Sequence, residues 1–309
     1  MMNSIHVPVM VQEIIDYLIV GSGGLYVDCT LGMGGHASRI LMADPNSQLY
    51  GIDLDPQAIE LAKENLKNFG DRVFFIHGNF AELHELLAQR GISQVDGVLM
   101  DLGVSSFQLD TPERGFSFRH PDKLDMRMDP TEGQPISYEI NRESADKLAA
   151  IIREFGEERW AKKIAKSIIM AREKKPITTT TQLAEIIERS VPWSGSSIHP
   201  ATRTFQALRI YKNNELDNLK NGLEQAIPIL KPGGRICVIS FHSLEDRIVK
   251  HTFRALERGC ICPSDIPKCI CGKFPVIKVV TKQPITPKDE EVKANPRSRS
   301  SKMRVAIKI

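Results

Sequence analysis

Along the first hundred residues the apolar positions follow two rhythms in turn, and the switching between them predicts the elements. Residues 25–29 read as a short strand, and the glycine-rich turn after it leads into an amphipathic run from His36 to Met42. The succession recurs as strand 48–53, helix 57–68, strand 73–77, helix 80–89 and strand 95–100. Pro56 stands where the start of a helix tolerates it. Strands that alternate with helices predict a parallel sheet covered on both faces.

After Asp101 this rhythm stops. A polar stretch carrying Pro112, Pro121, Pro130 and Pro135 gives way to helix-period segments near 143–155, 157–173 and 180–189. The strand pattern returns at Arg235 to Phe241, after a helix over 215–229 and the turn Lys231-Pro232-Gly233-Gly234. The expected organisation is an α/β domain made of residues 1–106 and 211–309, interrupted by an all-helical insertion over 107–210. A chain of 309 residues sits near the size at which one core splits in two.

Composition narrows the setting. No stretch approaches the ~20 apolar residues of a bilayer span, so the expectation is a cytoplasmic protein with no membrane association. The net charge of +3 hides an asymmetry: residues 1–106 carry 5 basic and 13 acidic side chains, a net of −8, whereas residues 260–309 carry 11 and 4, a net of +7. The basic end suits a polyanion, or it is a solvated surface.

The loop Asp28-Cys29-Thr30-Leu31-Gly32-Met33-Gly34-Gly35-His36 joins a strand to a helix. Glycines there let backbone N–H groups approach a ligand at the helix N-terminus. Asp53 ends the next strand about 20 residues on, where a carboxylate binds ribose hydroxyls. Gly32-x-Gly34-x-x-Ala37 also fits a dinucleotide fingerprint. Asp28 and Asp101 favour a sulfonium cofactor over a dinucleotide, because strand-end carboxylates repel a pyrophosphate and attract a cation. The cofactor expected is S-adenosyl-L-methionine.

Eight stretches then carry a resemblance: His6 to Met10, Asp28 to His36, Asp101 to Asp110, Glu113 to Phe118, Leu124 to Pro130, His199 to Arg209, Ser240 to Arg247 and Asn295 to Ser301. In this order, from end to end, they resemble the bacterial ribosomal RNA small-subunit cytosine-N4 methyltransferase H family. The resemblance implies a class I methyltransferase fold, Rossmann-like with a mostly parallel sheet, and N4-methylation of a cytidine in the decoding region of 16S rRNA. The partner implied is 16S rRNA within the small ribosomal subunit, with no obligate protein partner. Matching positions imply cofactor contacts at Gly34, Gly35, His36, Asp53, Phe80, Asp101 and Gln108.

A cytosine amine is a weak nucleophile that must be oriented and given a hydrogen-bond acceptor. Asp101, Ser105 and Ser106 are the candidates on the first sheet half, and the Asp101 loop is expected to touch both cofactor and base. His242 follows the returning strand and either accepts the departing proton or caps the helix that begins near Leu244. Phosphate contacts are expected from Arg203 and Arg209, and from Arg297 and Arg299 in the basic tail that runs from Arg297 to Arg304. Cys260, Cys262, Cys269 and Cys271 form a pair of Cys-x-Cys motifs, open to zinc or to reduced thiols. The chemistry assigns no metal.

Overall fold

The computed structural model describes residues 8–192, 199–260, 262 and 270–309, so His6 of the matched stretches and Cys269 lie outside the described residues. The chain divides into two compact units, Met1–Gly103 with Leu216–Ile309, and Val104–Glu215.

In the first unit the described chain runs α1 (Val11–Leu18), β1 (Leu25–Asp28), α2 (Gly35–Ala43), β2 (Gln48–Asp53), α3 (Pro56–Leu66), β3 (Val73–His77), α4 (Leu83–Ala88) and β4 (Val95–Asp101). The second unit contains α5 (Ser106–Asp110), α6 (Ile136–Arg142), α7 (Ala145–Gly156), α8 (Ala161–Arg172), α9 (Thr180–Ser190) and α10 (Thr202–Asn213). Helix α11 (Glu215–Ile229) then leads to β5 (Leu230–Ser240), α12 (Ser243–Arg258), β6 (Ile277–Val279), α13 (Asp289–Ala294) and β7 (Lys302–Lys308).

The strands form one sheet in the order β3-β2-β1-β4-β5-β7-β6. Strands β1 to β5 are parallel, and β7 runs antiparallel to both of its neighbours. This is the class I methyltransferase arrangement. Both faces are covered, as successive residues show: Val98 and Met100 pack on one side, and Leu99 between them on the other. On β5, Ile236 and Val238 alternate in the same way with Cys237 and Ile239.

The antiparallel β7 departs from the sequence reading of a basic tail. Its Lys302, Arg304 and Lys308 alternate with Met303, Val305 and Ile307, a period-2 pattern that the run of charges concealed. Arg304 is buried, and its guanidinium is paired with Asp246 on α12 at 2.6 Å. The charge belongs to the packing of the sheet there.

In the second unit, apolar residues at helical spacing meet in one core: Leu148, Ile151 and Ile152 on α7, Ile164 and Ile168 on α8, Leu183 and Ile187 on α9, Phe205 and Leu208 on α10. Capping side chains fix the starts of α7 and α9, Ser144 accepting from Lys147 N and Thr179 from Gln182 N. The expected helix over 157–173 begins only at Ala161. Glu157 closes α7 in the left-handed region at φ 48°, and Glu158 Oε1 accepts from Trp160 N at 2.8 Å, which holds the turn between the helices. The proline-bearing stretch is organised by a buried arginine: Arg114 donates to the carbonyls of Arg127 and Met128.

Candidate active site

The sheet order reverses between β1 and β4, and in open α/β sheets ligands bind beyond the carboxyl ends of the strands at such a reversal. Three carboxylates stand at those ends: Asp28 on β1, Asp53 on β2 and Asp101 on β4. Parallel pairing of β1 with both neighbours brings the three ends side by side.

Each carboxylate is held differently. Asp28 is 1% exposed; its Oδ1 accepts from Thr30 N at 3.1 Å, while Oδ2 meets no hydrogen-bond partner among the described residues. Burial pushes its carboxyl up to about 6, against the opposing pull of His36 and of the Thr30 N–H. Asp53 accepts from Gly32 N at 2.7 Å and from Asp55 N at 2.8 Å, and burial still raises it to about 6. Asp101 receives His36, whose Nε2 lies 3.2 Å from Oδ2, and its Oδ1 is also unpartnered among the described residues.

His36, in the first turn of α2, is 5% exposed. Burial pulls its pKa down, but the hydrogen bond and charge of Asp101, with Asp28 and Glu291 adding to them, raise it overall. The imidazole is therefore the local counter-charge to a set of buried acids. The backbone of the intervening loop is threaded into the same framework. Thr30 Oγ1 accepts from Asp101 N at 2.7 Å, and Leu31 N donates to Ile52 O. Gly32 and Gly34 take φ of 52° and 83°, and a Cβ on Gly34 would lie 2.7 Å from Leu66 Cδ1, so that position excludes larger residues.

This donor set fits the expected sulfonium nucleoside. Two buried acids with raised pKa values and two orphaned carboxylate oxygens are stabilised by a cation and by hydroxyl donors, and are made worse by a pyrophosphate. Asp53 keeps further lone pairs for ribose hydroxyls. Phe80 opens a one-turn helix, Phe80–Glu82, just beyond β3, and Asn79 caps it by accepting from Ala81 N. Its ring lies against α11 where Gly222 leaves room; a Cβ there would be 2.5 Å from Phe80 Cδ2.

Other expected residues are placed as follows. Ser105 and Gln108, in the second unit, form the capping box of α5: Ser105 Oγ accepts from Gln108 N, and Gln108 Oε1 accepts from Ser105 N. The Ser105 hydroxyl is thus engaged in ordering the loop after β4. His242 is the N-cap of α12. Its Nδ1 accepts from Glu245 N at 3.4 Å, and its Nε2 lies 3.1 Å from Glu245 Oε1. Buried Glu245 completes the box by accepting from Phe241 N and His242 N. That geometry is the helix cap.

Arg203 is exposed on α10, and Arg297 and Arg299 are exposed on either side of buried Ser298. Arg209 is not displayed in this way. Its Nε and Nη2 both donate to the Glu215 carboxylate at 2.8 Å, a bidentate pair with side chains 16% and 8% exposed.

Thr30, Gly222 and Glu245 were not singled out in the sequence. A hydroxyl two residues past a strand-end Asp, and a Glu three residues past His242, are signals that could have found the first and last. Nothing local marks Gly222, whose reason lies across the fold in Phe80.

Among known proteins, the chain is 53% identical over 308 residues to ribosomal RNA small subunit methyltransferase H of Citrifermentans bemidjiense, covering 98% of each chain. It is 52% identical over 307 residues to the protein of that name from Geotalea uraniireducens, again with 98% of each covered. The Symbiobacterium thermophilum protein of the same name is 49% identical over 307 residues, covering 98% of this chain and 96% of that one. The sequence pattern of the MraW methylase family matches residues 3–309, and with a loop, an acid set and a sheet of this kind the chain belongs to that family.

Proposed function

We propose that this chain methylates N4 of a cytidine in the decoding region of 16S rRNA, within the small ribosomal subunit and in the cytoplasm. The coarser activity, S-adenosyl-L-methionine-dependent methylation of small-subunit ribosomal RNA, follows from family membership and from relatives about half identical over the full length. The observation that carries the chemistry is the row of acids Asp28, Asp53 and Asp101 at the ends of β1, β2 and β4. Among the described residues no helix is long and apolar enough to cross a membrane.

When bound, S-adenosyl-L-methionine supplies an electrophilic methyl group on a positively charged sulfur. The residues that would hold it are the Gly34–Gly35 turn with His36 and the Asp53 carboxylate, which would accept from ribose hydroxyls, with Phe80, whose place rests on family resemblance. Gln108 joins them by family resemblance. Buried Asp28 would contribute negative charge that favours the bound cation.

Asp101 holds the acceptor amine. Its Oδ1 takes a hydrogen bond from the cytosine N4 amine, which orients the nitrogen lone pair for in-line attack. His36 at Oδ2 keeps the carboxylate fixed, so that Oδ1 can accept the N4 proton as the new bond forms. Ser105 acts by ordering the loop, and His242 by capping α12. Arg203, Arg297 and Arg299 meet phosphates, whereas Arg209 stays in its pair with Glu215.

The test is the mapping of N4-methylcytidine in 16S rRNA by mass spectrometry of nuclease fragments, in cells with the gene, without it, and complemented by an Asp53→Ala copy. The modification should vanish on deletion, return with the unaltered gene and fail to return with the variant. N4-methylcytidine that survives deletion overturns the assignment.

A further inference from the structure

The cysteine pairs after α12 are not used by the methyl-transfer site, and their geometry is specific. The sulfurs of Cys260, Cys262 and Cys271 all lie within 4.8 Å of one another. Cys260 and Cys271 are 3.8 Å apart, sulfur to sulfur. A tetrahedral ion with zinc–sulfur distances of about 2.3 Å has sulfur–sulfur edges of about 3.8 Å. We propose that Cys260, Cys262 and Cys271 are ligands of a structural zinc ion.

The backbone brings them together by construction. Helix α12 stops at Gly259, which takes φ 66° and donates to Ala255 O. The returning chain crosses so close that a Cβ on Gly259 would fall 2.2 Å from the Phe274 carbonyl carbon. Val276 N then donates to Leu256 O, and the chain enters β6 at the edge of the sheet. Cys262 is buried, its carbonyl accepts from Arg258 Nη2, and its sulfur accepts from Ile270 N at 3.4 Å. An N–H donated to sulfur is the outer-shell support that metal thiolates receive.

The ligand type selects the ion. Three thiolates favour zinc over magnesium or calcium, which need oxygen donors. Two other cysteines make the contrast: Cys29, just past β1, and Cys237, on β5, are each buried in the cores beside the sheet, and burial pushes the Cys237 thiol up to about 12. Cys269, the remaining member of the sequence pattern, lies outside the described residues. The ion would clasp the connection from α12 to β6, whose three-residue strand has few ladder bonds of its own.

Elemental analysis of the full chain, purified under reductant and dialysed free of loose metal, tests the proposal. One zinc per chain is expected, falling at least tenfold in each of Cys260→Ser, Cys262→Ser and Cys271→Ser and unchanged in Cys237→Ala. Should the serine variants fail to fold, cobalt titration of the demetallated wild-type chain is the second reading. It should give thiolate-to-cobalt charge-transfer bands, with calorimetry against S-adenosylhomocysteine reporting that the fold persists. A wild-type chain that holds no zinc and shows no such bands overturns the proposal, as does zinc content undiminished in all three serine variants.

Discussion

Gly222→Ala on α11 separates a cofactor contact from helix stability, because its two effects oppose each other in a known ratio. An alanine inside a helix gains about 1 kcal/mol over glycine. Here the added Cβ would lie 2.5 Å from Phe80 Cδ2 and 2.8 Å from Cε2. Carbon atoms rest at about 3.5–4.0 Å, so the ring must withdraw by about 1 Å. Overpacking of that kind costs about 1–3 kcal/mol, which outweighs the helix gain and leaves a net loss of roughly 0–2 kcal/mol. Thermal unfolding should fall by a few degrees at most. If the ring makes the proposed cofactor contact, withdrawing it forfeits about 0.5–1.5 kcal/mol, so calorimetry should show S-adenosylhomocysteine bound roughly 2- to 13-fold more weakly. The double variant Gly222→Ala, Phe80→Leu should recover the melting temperature and not the affinity. Unchanged affinity in the single variant, with the melting temperature lowered as expected, would refute the placement of Phe80 at the cofactor.

Asp28 sits at about 6 in the folded chain against about 3.9 when unfolded, so between those values the folded state holds a proton that the unfolded state has released. Cofactor-free stability should therefore fall as pH rises from about 4 to about 6, and Asp28→Asn should remove up to roughly 1.4 kcal/mol per pH unit of that slope in urea titrations; an unaltered slope would exclude the burial argument. Raised His36 adds a contribution that is present below 6.5 and lost as pH climbs past its folded value. Arg304→Ala should destabilise by about 1–3 kcal/mol, because it removes the two-donor partner of Asp246 and leaves Lys302 at 3.9 Å. Arg297→Ala with Arg299→Ala should leave the unfolding midpoint within error and flatten the salt dependence of RNA binding by about 1–2 units of log–log slope; the reverse pattern would restore Arg304 to the RNA surface. His242→Asn, which caps as well as histidine does here, should keep kcat, and a large drop at unchanged melting temperature would make the ring a proton acceptor after all.

The strand–helix rhythm of the first hundred residues was legible because each β-α step carries its own punctuation, such as Pro56 at the start of α3 and the glycines before α2. Elements whose reason is tertiary were not. Strand β7 hides its apolar residues among lysines and arginines, and only the partner Asp246 shows why Arg304 can be buried in a sheet. In the same way α10 goes unread in the pattern of the chain, and its Phe205 and Leu208 find their reason only in the core of the second unit.

The acids at the strand ends were readable as acids, but not their unequal states. Asp44 shows what the others lack. It accepts from Gly23 N, Asn46 N and the Ser22 hydroxyl, and these bonds hold its carboxyl below the usual range although burial opposes them. Asp28 has the same residue type and a deeper position, with one backbone donor and one oxygen left orphaned. Thr30 donates its Oγ1 hydroxyl to Asp28 Oδ1 at 3.5 Å while accepting from Asp101 N at 2.7 Å, and Oδ2 stays unmet among the described residues. A buried carboxylate oxygen left unmet beside a glycine turn costs stability in the empty protein, and that cost is recovered when a cation or donor arrives. The difference between Asp44 and Asp28 is thus the difference between an acid that serves the fold and one the fold keeps available, and hydrogen-bond accounting, not residue identity, tells them apart.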